Sequence, residues 1–283
     1  MKKILCFGDS NTFGFNPENG KRYDEKTRWS GILKSTLSGK YEVIEAGCNN
    51  RTAFCDNPTG EEFTGIKAIK KYLTEDINIL VLSIGLNDLQ KIYNTNPIDY
   101  DEGIRNIIKI AKNTNPDIEI ILTSPSVINE NILKSYFAQL FDESAIKKSK
   151  ELLNIYQNIA NKTGCKFIDL EEVAKASNID GLHYSKEAHK KIATAILNTI
   201  WNFDFNVIII LWFFKRSQLN KKEKIMKVVI NDSCIACGAC ESVCDAVFSV
   251  EDVAVVNEAA VSGNEDCVKE AADCCPVNAI ELE

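Results

Sequence analysis

Two sets of side chains have the types and spacing to do chemistry, and they lie in different parts of the chain. In the first, Ser10 follows the apolar run Ile4–Phe7, Gly47 follows Val43–Ala46 and Asn87 follows Ile79–Ile84. Asp180 and His183 stand between Phe167–Leu170 and a last helical stretch. A serine hydroxyl that attacks a carbonyl must give its proton to a base, and histidine is the natural base at neutral pH. The chain has two histidines, His183 and His189, and only His183 has a carboxylate, Asp180, three residues before it in a loop. The order Ser, Asp, His is one of several in which the same geometry occurs. The oxyanion of a tetrahedral intermediate needs fixed donors. The backbone N–H groups of Ser10 and Gly47 with the side-chain amide of Asn87 would supply three, and loss of one typically costs on the order of 10²–10³ in rate.

The second set is Cys234-Ile235-Ala236-Cys237-Gly238-Ala239-Cys240, three thiols two residues apart on a loop that a glycine frees to turn. That spacing wraps three corners of a cubane iron–sulfur cluster, and Cys275-Pro276 supplies a distant fourth thiol. Cys274 stands beside it, so Cys274 and Cys275 both stay open for that corner. There is no second run of this kind, which leaves one cluster. Four cysteines also bind zinc, but zinc ribbons use two separated pairs, and three plus one ending in Cys-Pro favours the cluster.

The elements that must position these residues are legible in the apolar pattern. Ile4–Phe7, Val43–Ala46, Ile79–Ile84, Ile118–Leu122 and Phe167–Leu170 read as five buried strands. Between them, three groups show the spacing of one buried helical face: Ile66, Ile69 and Leu73, then Ile104, Ile107, Ile108 and Ala111, then Leu152, Tyr156, Ile159 and Ala160. A last helix starts near Ser185, a good N-cap, carries Ala188, Ile192, Ala195, Ile196 and Ile200, and ends about Trp201. Strand–helix alternation implies a parallel sheet covered on both faces, and ligands of such sheets bind outside the carboxyl ends of the strands. Ser10, Gly47, Asn87, Asp180 and His183 all fall at such ends and would meet in one crevice.

Composition divides the 283 residues in the same place. Residues 226–283 hold 12 Asp and Glu against 2 Lys, a net charge of −10, whereas the rest is +3; seven of the 11 cysteines fall between Cys234 and Cys275. We expect a domain at 1–201, a linker at 202–225 and a second domain at 226–283. The acidic tail suits docking onto a basic face of a partner protein, and no nucleic-acid partner is expected. The N-terminal apolar run is four residues, too short for the core of a signal peptide, so a cytoplasmic location is expected. There Cys6, Cys48, Cys55 and Cys165 need no disulfide and read as small buried hydrophobes. In the linker, the uncharged stretch Phe205–Phe214 is ten residues, short of the roughly 17–25 of a spanning helix. It is expected to pack as an extra strand or strap, with an interfacial position as the alternative. Lys221-Lys222-Glu223-Lys224 precedes Met226 and is encodable by purine-rich codons like those ahead of a start codon, which keeps open that two adjacent genes are read here as one chain.

Four blocks carry a resemblance. Gly8-Asp9-Ser10-Asn11-Thr12 resembles the first block of SGNH (GDSL-like) hydrolases, Gly47 the second, Gly85-Leu86-Asn87-Asp88 the third and Asp180-Gly181-Leu182-His183 the fifth. They occur in order across residues 1–201. The stretch from Gly8 through Arg22-Tyr23 to Arg28-Trp29 further resembles the arylesterase and acyltransferase branch. The resemblance implies an α/β, flavodoxin-like three-layer fold with a parallel sheet. It also implies a cofactor-free serine esterase for small carboxylic esters, or an acyltransferase, with Ser10, Asp180 and His183 as the catalytic residues. Residues 226–283 resemble bacterial single-[4Fe-4S] ferredoxins. That implies a small α+β domain, a redox partner protein, cluster ligands Cys234, Cys237, Cys240 and Cys275, and Cys244 and Cys267 as a remote pair able to form a disulfide. Asp245 stands where a proline commonly follows the fourth cysteine, which suits Cys244 being no ligand.

Plainer readings stand beside these. Alone, Gly8-Asp9-Ser10 is a capped turn and Gly47 a turn glycine. His189 reads as a solvated helix residue and Cys48 as packing. Arg28 and Trp29 either shape the ester pocket or are a surface arginine beside a core tryptophan. The competing function is an electron carrier whose hydrolase-like domain serves only as a binding scaffold; an intact Ser10, Asn87, Asp180 and His183 argues against it.

Overall fold

The computed structural model describes residues 1–203 and 226–282, and the chain divides into two compact units, Met1–Phe205 and Asn206–Glu283. The expectations for Phe205–Phe214 and Lys221–Lys224 lie outside the described residues. Among those described, no helix is long and apolar enough to cross a membrane.

The first unit is built on five parallel strands, β1 (Lys2–Gly8), β2 (Tyr41–Gly47), β3 (Ile77–Ser83), β4 (Glu119–Thr123) and β5 (Lys166–Ile168), in the order β2-β1-β3-β4-β5. These are the five apolar runs of the sequence. The inner strands are buried on both sides, so successive residues feed opposite cores. Leu5, Phe7, Leu80 and Leu82 pack with α4 (Pro97–Thr114) and α5 (Glu143–Thr163) through Ile104, Ile107, Leu152 and Tyr156. Ile4, Cys6, Ile79 and Val81 pack on the other face with α2 (Trp29–Thr36), the one-turn α6 (Leu170–Val173) and α7 (Lys186–Phe203) through Trp29, Leu33, Leu170, Ile192 and Ile196. Local chemistry starts the long helices where they start. Asn96 and Asp99 form a reciprocal capping box at α4 with Pro97 in its first turn, and the Asp142 side chain accepts from Ser144 N–H at α5.

One expectation changes form. Ile66, Ile69 and Leu73 do lie on the core, but as α3 (Gly65–Ala68) followed by a tighter 3₁₀ turn, Ile69–Lys71. A spacing of three is eclipsed in a 3₁₀ helix, so Ile66 and Ile69 share a face in either form.

The second unit is α+β, with antiparallel pairs β6 (Val228–Ile230) with β9 (Ile280–Leu282) and β7 (Phe248–Val250) with β8 (Ala254–Val256). Its own core is Val228, Val247, Phe248, Val261, Val268, Ala271 and Ile280. A disulfide joins Cys244, after helix Ala239–Val243, to Cys267 in helix Glu265–Asp273.

Candidate active site and candidate metal centre

β1 ends at Gly8 and turns at once into the one-turn helix α1 (Ser10–Phe13), capped by Asp9, whose Oδ1 accepts from Asn11 N–H at 2.9 Å. Gly47 pairs with Gly8 at the strand ends, and a Cβ on it would lie 2.1 Å from Phe13 N. Only a bare backbone lets α1 close on the end of β2.

Ser10 Oγ is 2.8 Å from His183 Nε2, and His183 Nδ1 is 2.7 Å from Asp180 Oδ2. Asp180 Oδ1 accepts from the backbone N–H groups of Leu182 and His183, at 3.0 and 2.9 Å, so the carboxylate also shapes its own loop. Burial pushes this carboxyl up, but the bond and charge of His183 and those two N–H groups outweigh it and hold Asp180 below the ordinary range. An ionised Asp180 accepts the hydrogen bond of the imidazole Nδ1–H and so fixes the tautomer, which leaves the Nε2 lone pair for the serine hydroxyl.

Asn11, beside the nucleophile position, clamps the same loop. Its Nδ2 donates to Leu182 O at 3.2 Å and its Oδ1 accepts from Tyr184 N–H at 3.3 Å, on either side of His183. The rings of Phe15 and Phe137 stand 4.2 and 5.1 Å from the imidazole.

Asn87 opens a 3₁₀ turn after β3, and its Nδ2 donates one hydrogen to Arg51 O at 3.0 Å. Arg51 is buried with its guanidinium 4.6 Å from the Phe7 ring centroid, donating to the carbonyls of Gly8, Ala46 and Glu62. It thus ties the ends of β1 and β2 to the Asn87 turn. Asp88 is fully buried and accepts from Ala53, Phe54 and Cys55 N–H; burial pushes it up against those donors. Burial likewise pushes Asp9 up to about 7.

Ser10, Asn87 and His183 line one cavity of about 440 Å³, with Asn49 and Asn50 on its polar side and Phe15, Phe137, Leu140, Phe141 and Leu182 on its apolar side. Asp180 lies behind His183. Gly47 is not part of the lining; it stands against α1 as described.

Three expectations are corrected. His189 is not solvated but fully buried, because α7 buries a wide stripe against α2; its Nδ1 accepts from Trp29 N–H at 3.4 Å, and burial pushes it down to about 3. Arg28 is neither a pocket wall nor a surface group. Its Nε and Nη2 grip Glu45 at 2.6 and 2.7 Å, while Trp29, buried, donates from Nε1 to Asn11 O at 3.1 Å. Of Cys6, Cys48, Cys55 and Cys165 only Cys6 is fully buried; the others sit half-buried, Cys48 just past β2, Cys165 between α5 and β5 and Cys55 in a loop. The residues missed in the sequence are Asn11, Arg51 and Gln90. Polar residues within an apolar or glycine-rich block were the available signal for the first.

In the second unit, Cys234, Cys237, Cys240 and Cys275 line a cavity of about 330 Å³ walled by Ile230, Ile235, Val250, Val277 and Ile280. Cys274 is exposed and absent from that lining. Ala254 N–H points at Cys234 Sγ from 3.4 Å and Ala279 N–H at Cys275 Sγ from 3.3 Å. The amides of Ala254 and Ala236 hold the Cys234 thiol below its ordinary range. Ala236 and Gly238, at φ 51° and 76°, turn the loop between the thiols. Among the described residues no three His, Cys, Asp or Glu side chains gather tightly enough for a single ion. Thiols spaced round an apolar enclosure, with amide donors on sulfur, suit a polynuclear iron–sulfur cluster.

Residues 6–191 match the GDSL-like lipase/acylhydrolase family and residues 230–282 the 4Fe-4S single cluster domain of ferredoxin I. A ferredoxin of Thermococcus litoralis is 41% identical over 59 residues, 20% of this chain and 100% of that protein. An aryl esterase of M. smegmatis superposes with a TM-score of 0.66 at 26% identity, covering 71% of this chain and 99% of its own. A carbohydrate acetylesterase family member from Sinorhizobium meliloti does so with a TM-score of 0.66 at 26% identity, covering 71% and 97%. The chain belongs to the GDSL-like hydrolases, with a ferredoxin domain that carries an iron–sulfur cluster at its C-terminal end.

Proposed function

We propose that residues 1–201 hydrolyse small carboxylic esters, with Ser10 as nucleophile, His183 as general base and acid, and Asp180 as its orienting carboxylate. The Ser10 Oγ to His183 Nε2 distance of 2.8 Å, continued to Asp180 at 2.7 Å, carries this reading. Ser10 Oγ bonds to the ester carbonyl carbon while its proton passes to His183 Nε2. The oxyanion is held by the N–H group of Ser10 and by Asn87 Nδ2, whereas Gly47, outside the lining, serves to let α1 close on the strand ends. Collapse breaks the carbon–oxygen bond to the alcohol, which leaves with the His183 proton. Water then attacks the acyl-serine with His183 again as base and releases the acid; an alcohol in place of water would give acyl transfer. An open cleft walled by Phe15, Phe137 and Phe141 beside Ser10 and His183 suits a small ester, and the names of the two structural relatives, an aryl esterase and a carbohydrate acetylesterase, support that substrate class. Ser10→Ala should abolish turnover of a short-chain nitrophenyl ester. Wild-type turnover in that variant, in a preparation free of other esterases, would remove the assignment.

For residues 226–283 the reading is a single [4Fe-4S] cluster, held by Cys234, Cys237, Cys240 and Cys275, in a cytoplasmic protein whose acidic tail docks onto a basic redox partner. When bound, such a cluster supplies one-electron transfer. This chain's part is to present four thiolates, to stabilise them with the Ala254 and Ala279 amides and to keep water out with Ile235 and Val277. Cys275→Ser should lose most of the iron, with Cys274→Ser and Cys244→Ser retaining it. Equal loss in Cys244→Ser and Cys275→Ser would overturn the ligand set.

A further inference from the structure

Gln90 lies just past the turn that carries Asn87, only 3% exposed, and outside the cavity lining. Its Nε2 donates to two oxygens, Asn87 Oδ1 at 3.0 Å and Asn50 Oδ1 at 2.8 Å. Both of those asparagines face the cavity that Ser10 and His183 line. A primary amide has one oxygen and two N–H groups. With each oxygen engaged by Gln90, each asparagine has N–H groups left for whatever enters. Asn87 commits one of its two to Arg51 O at 3.0 Å, which leaves one. Asn50 is fixed from its backbone as well: its φ is 59°, in the left-handed region that asparagine tolerates, and its carbonyl accepts from Asn57 Nδ2 at 2.8 Å.

Resting on the ester chemistry proposed above, we infer that Gln90 is a positioning residue that sets the polarity of the cavity wall. It makes Asn87 present a donor to the oxyanion and Asn50 a donor to a second acceptor oxygen of the substrate. An amide flip exchanges O for N at almost no steric cost, so shape alone does not hold either asparagine in the useful orientation. A flipped Asn87 would aim a carbonyl oxygen at the developing negative charge. Gln90 penalises that flip, because it would set N–H against N–H in a buried place where no water mends the loss. One buried amide thereby orients two others, and the polar side of the cavity selects substrates rich in acceptors over those that offer hydroxyl donors.

The test is a double-mutant cycle in the full chain, on a short-chain nitrophenyl ester, with thermal midpoints recorded for every variant. Gln90→Glu keeps the size and sets oxygen against oxygen; it should lower kcat by about 10–100-fold and leave KM within about twofold. Gln90→Met, which merely removes the donors, should lose less. In an Asn87→Ala background Gln90→Glu should add less than about twofold to the loss of kcat, because of the two amides it orients the one that faces the oxyanion is gone. If Gln90→Glu fails to fold, Gln90→Met takes its place in the cycle and the same non-additivity is required. Equal fold-losses with and without Asn87, a loss that tracks the thermal midpoint, or wild-type kcat in both variants beside an inactive Ser10→Ala would overturn this inference alone. An active Ser10→Ala would remove the esterase reading and this inference with it.

Discussion

Glu45, near the end of β2, is held by three side chains: Arg28 through two bonds at 2.6 and 2.7 Å, Ser30 Oγ at 2.7 Å and Arg22 at 3.2 Å. Burial alone would push its carboxyl up, but these partners bring it down to about 2. A carboxylate held that low adds stability that is complete above its unfolded value and is lost as pH falls through the folded one, here between about 4.5 and about 2. Glu45→Gln leaves Arg28 unpaired and should cost on the order of 3 kcal/mol near pH 7. The gap between the thermal midpoints of variant and wild type should close as pH falls from 5 to 2; a constant gap would mean that packing, not charge, accounts for it. His189 acts in the same direction over a higher window. Its folded value near 3 lies below the ordinary one of about 6.5, so stability is lost as pH falls between them. His189→Gln should flatten the midpoint against pH across that window, and an unchanged slope would show that His189 does not titrate on unfolding. That Ser10, Asn87, Asp180 and His183 come together was legible in the sequence because the roles proposed for them demand particular residue types at the carboxyl ends of strands. His189, Asn11 and Gln90 were not: each is defined by partners far along the chain or across a turn, and a buried neutral histidine looks like an exposed one until its helix is packed.

At the scale of elements, the three inner strands were legible because a doubly covered strand must be apolar throughout, and Ser10 and Asn87 because each comes soon after one of those strands. What the pattern did not carry was the closeness of α1 to the end of β2. A Cβ at Gly47 would meet Phe13 N at 2.1 Å and Thr12 C at 2.4 Å, and backbone on both sides has nowhere to yield. Gly47→Ala should therefore push α1 away and lower kcat at least as much as loss of one oxyanion donor, on the order of 10²–10³. Wild-type turnover in that variant would show that α1 moves without penalty. The loop of Gly85 is set in a similar way from below, where Tyr156 Oη donates to Ile84 O at 2.8 Å and Tyr100 Oη to Gly85 O at 2.9 Å. Two helices thus reach under the sheet to hold the turn before Asn87.

The whole chain holds two units, each with its own core and its own complete set of candidate residues. Ester hydrolysis moves no net electrons, so neither set needs the other. Residues 226–283 are few, and the bound cluster should contribute much of their folding free energy. A protein ending at residue 201 should keep the full chain's esterase turnover, whereas iron removal should unfold the second unit alone. A large fall on truncation, or turnover that changes on dithionite reduction, would tie the cluster to the esterase. Weighing the native protein decides whether both units are made as one 31.6 kDa chain.

Ser10 and His183, 2.8 Å apart in space, are 173 residues apart in sequence. At about 5–20 residues per second, synthesis delivers the hydroxyl roughly 9 to 35 seconds before the imidazole proposed to activate it. Inner strand β1 is made first and the His183 loop only after β5, the last strand of the first unit, so a nascent chain carries a serine without its histidine for most of its time on the ribosome. On the proposed chemistry, the order of synthesis keeps hydroxyl and base apart in time until nearly all of the first unit has been made.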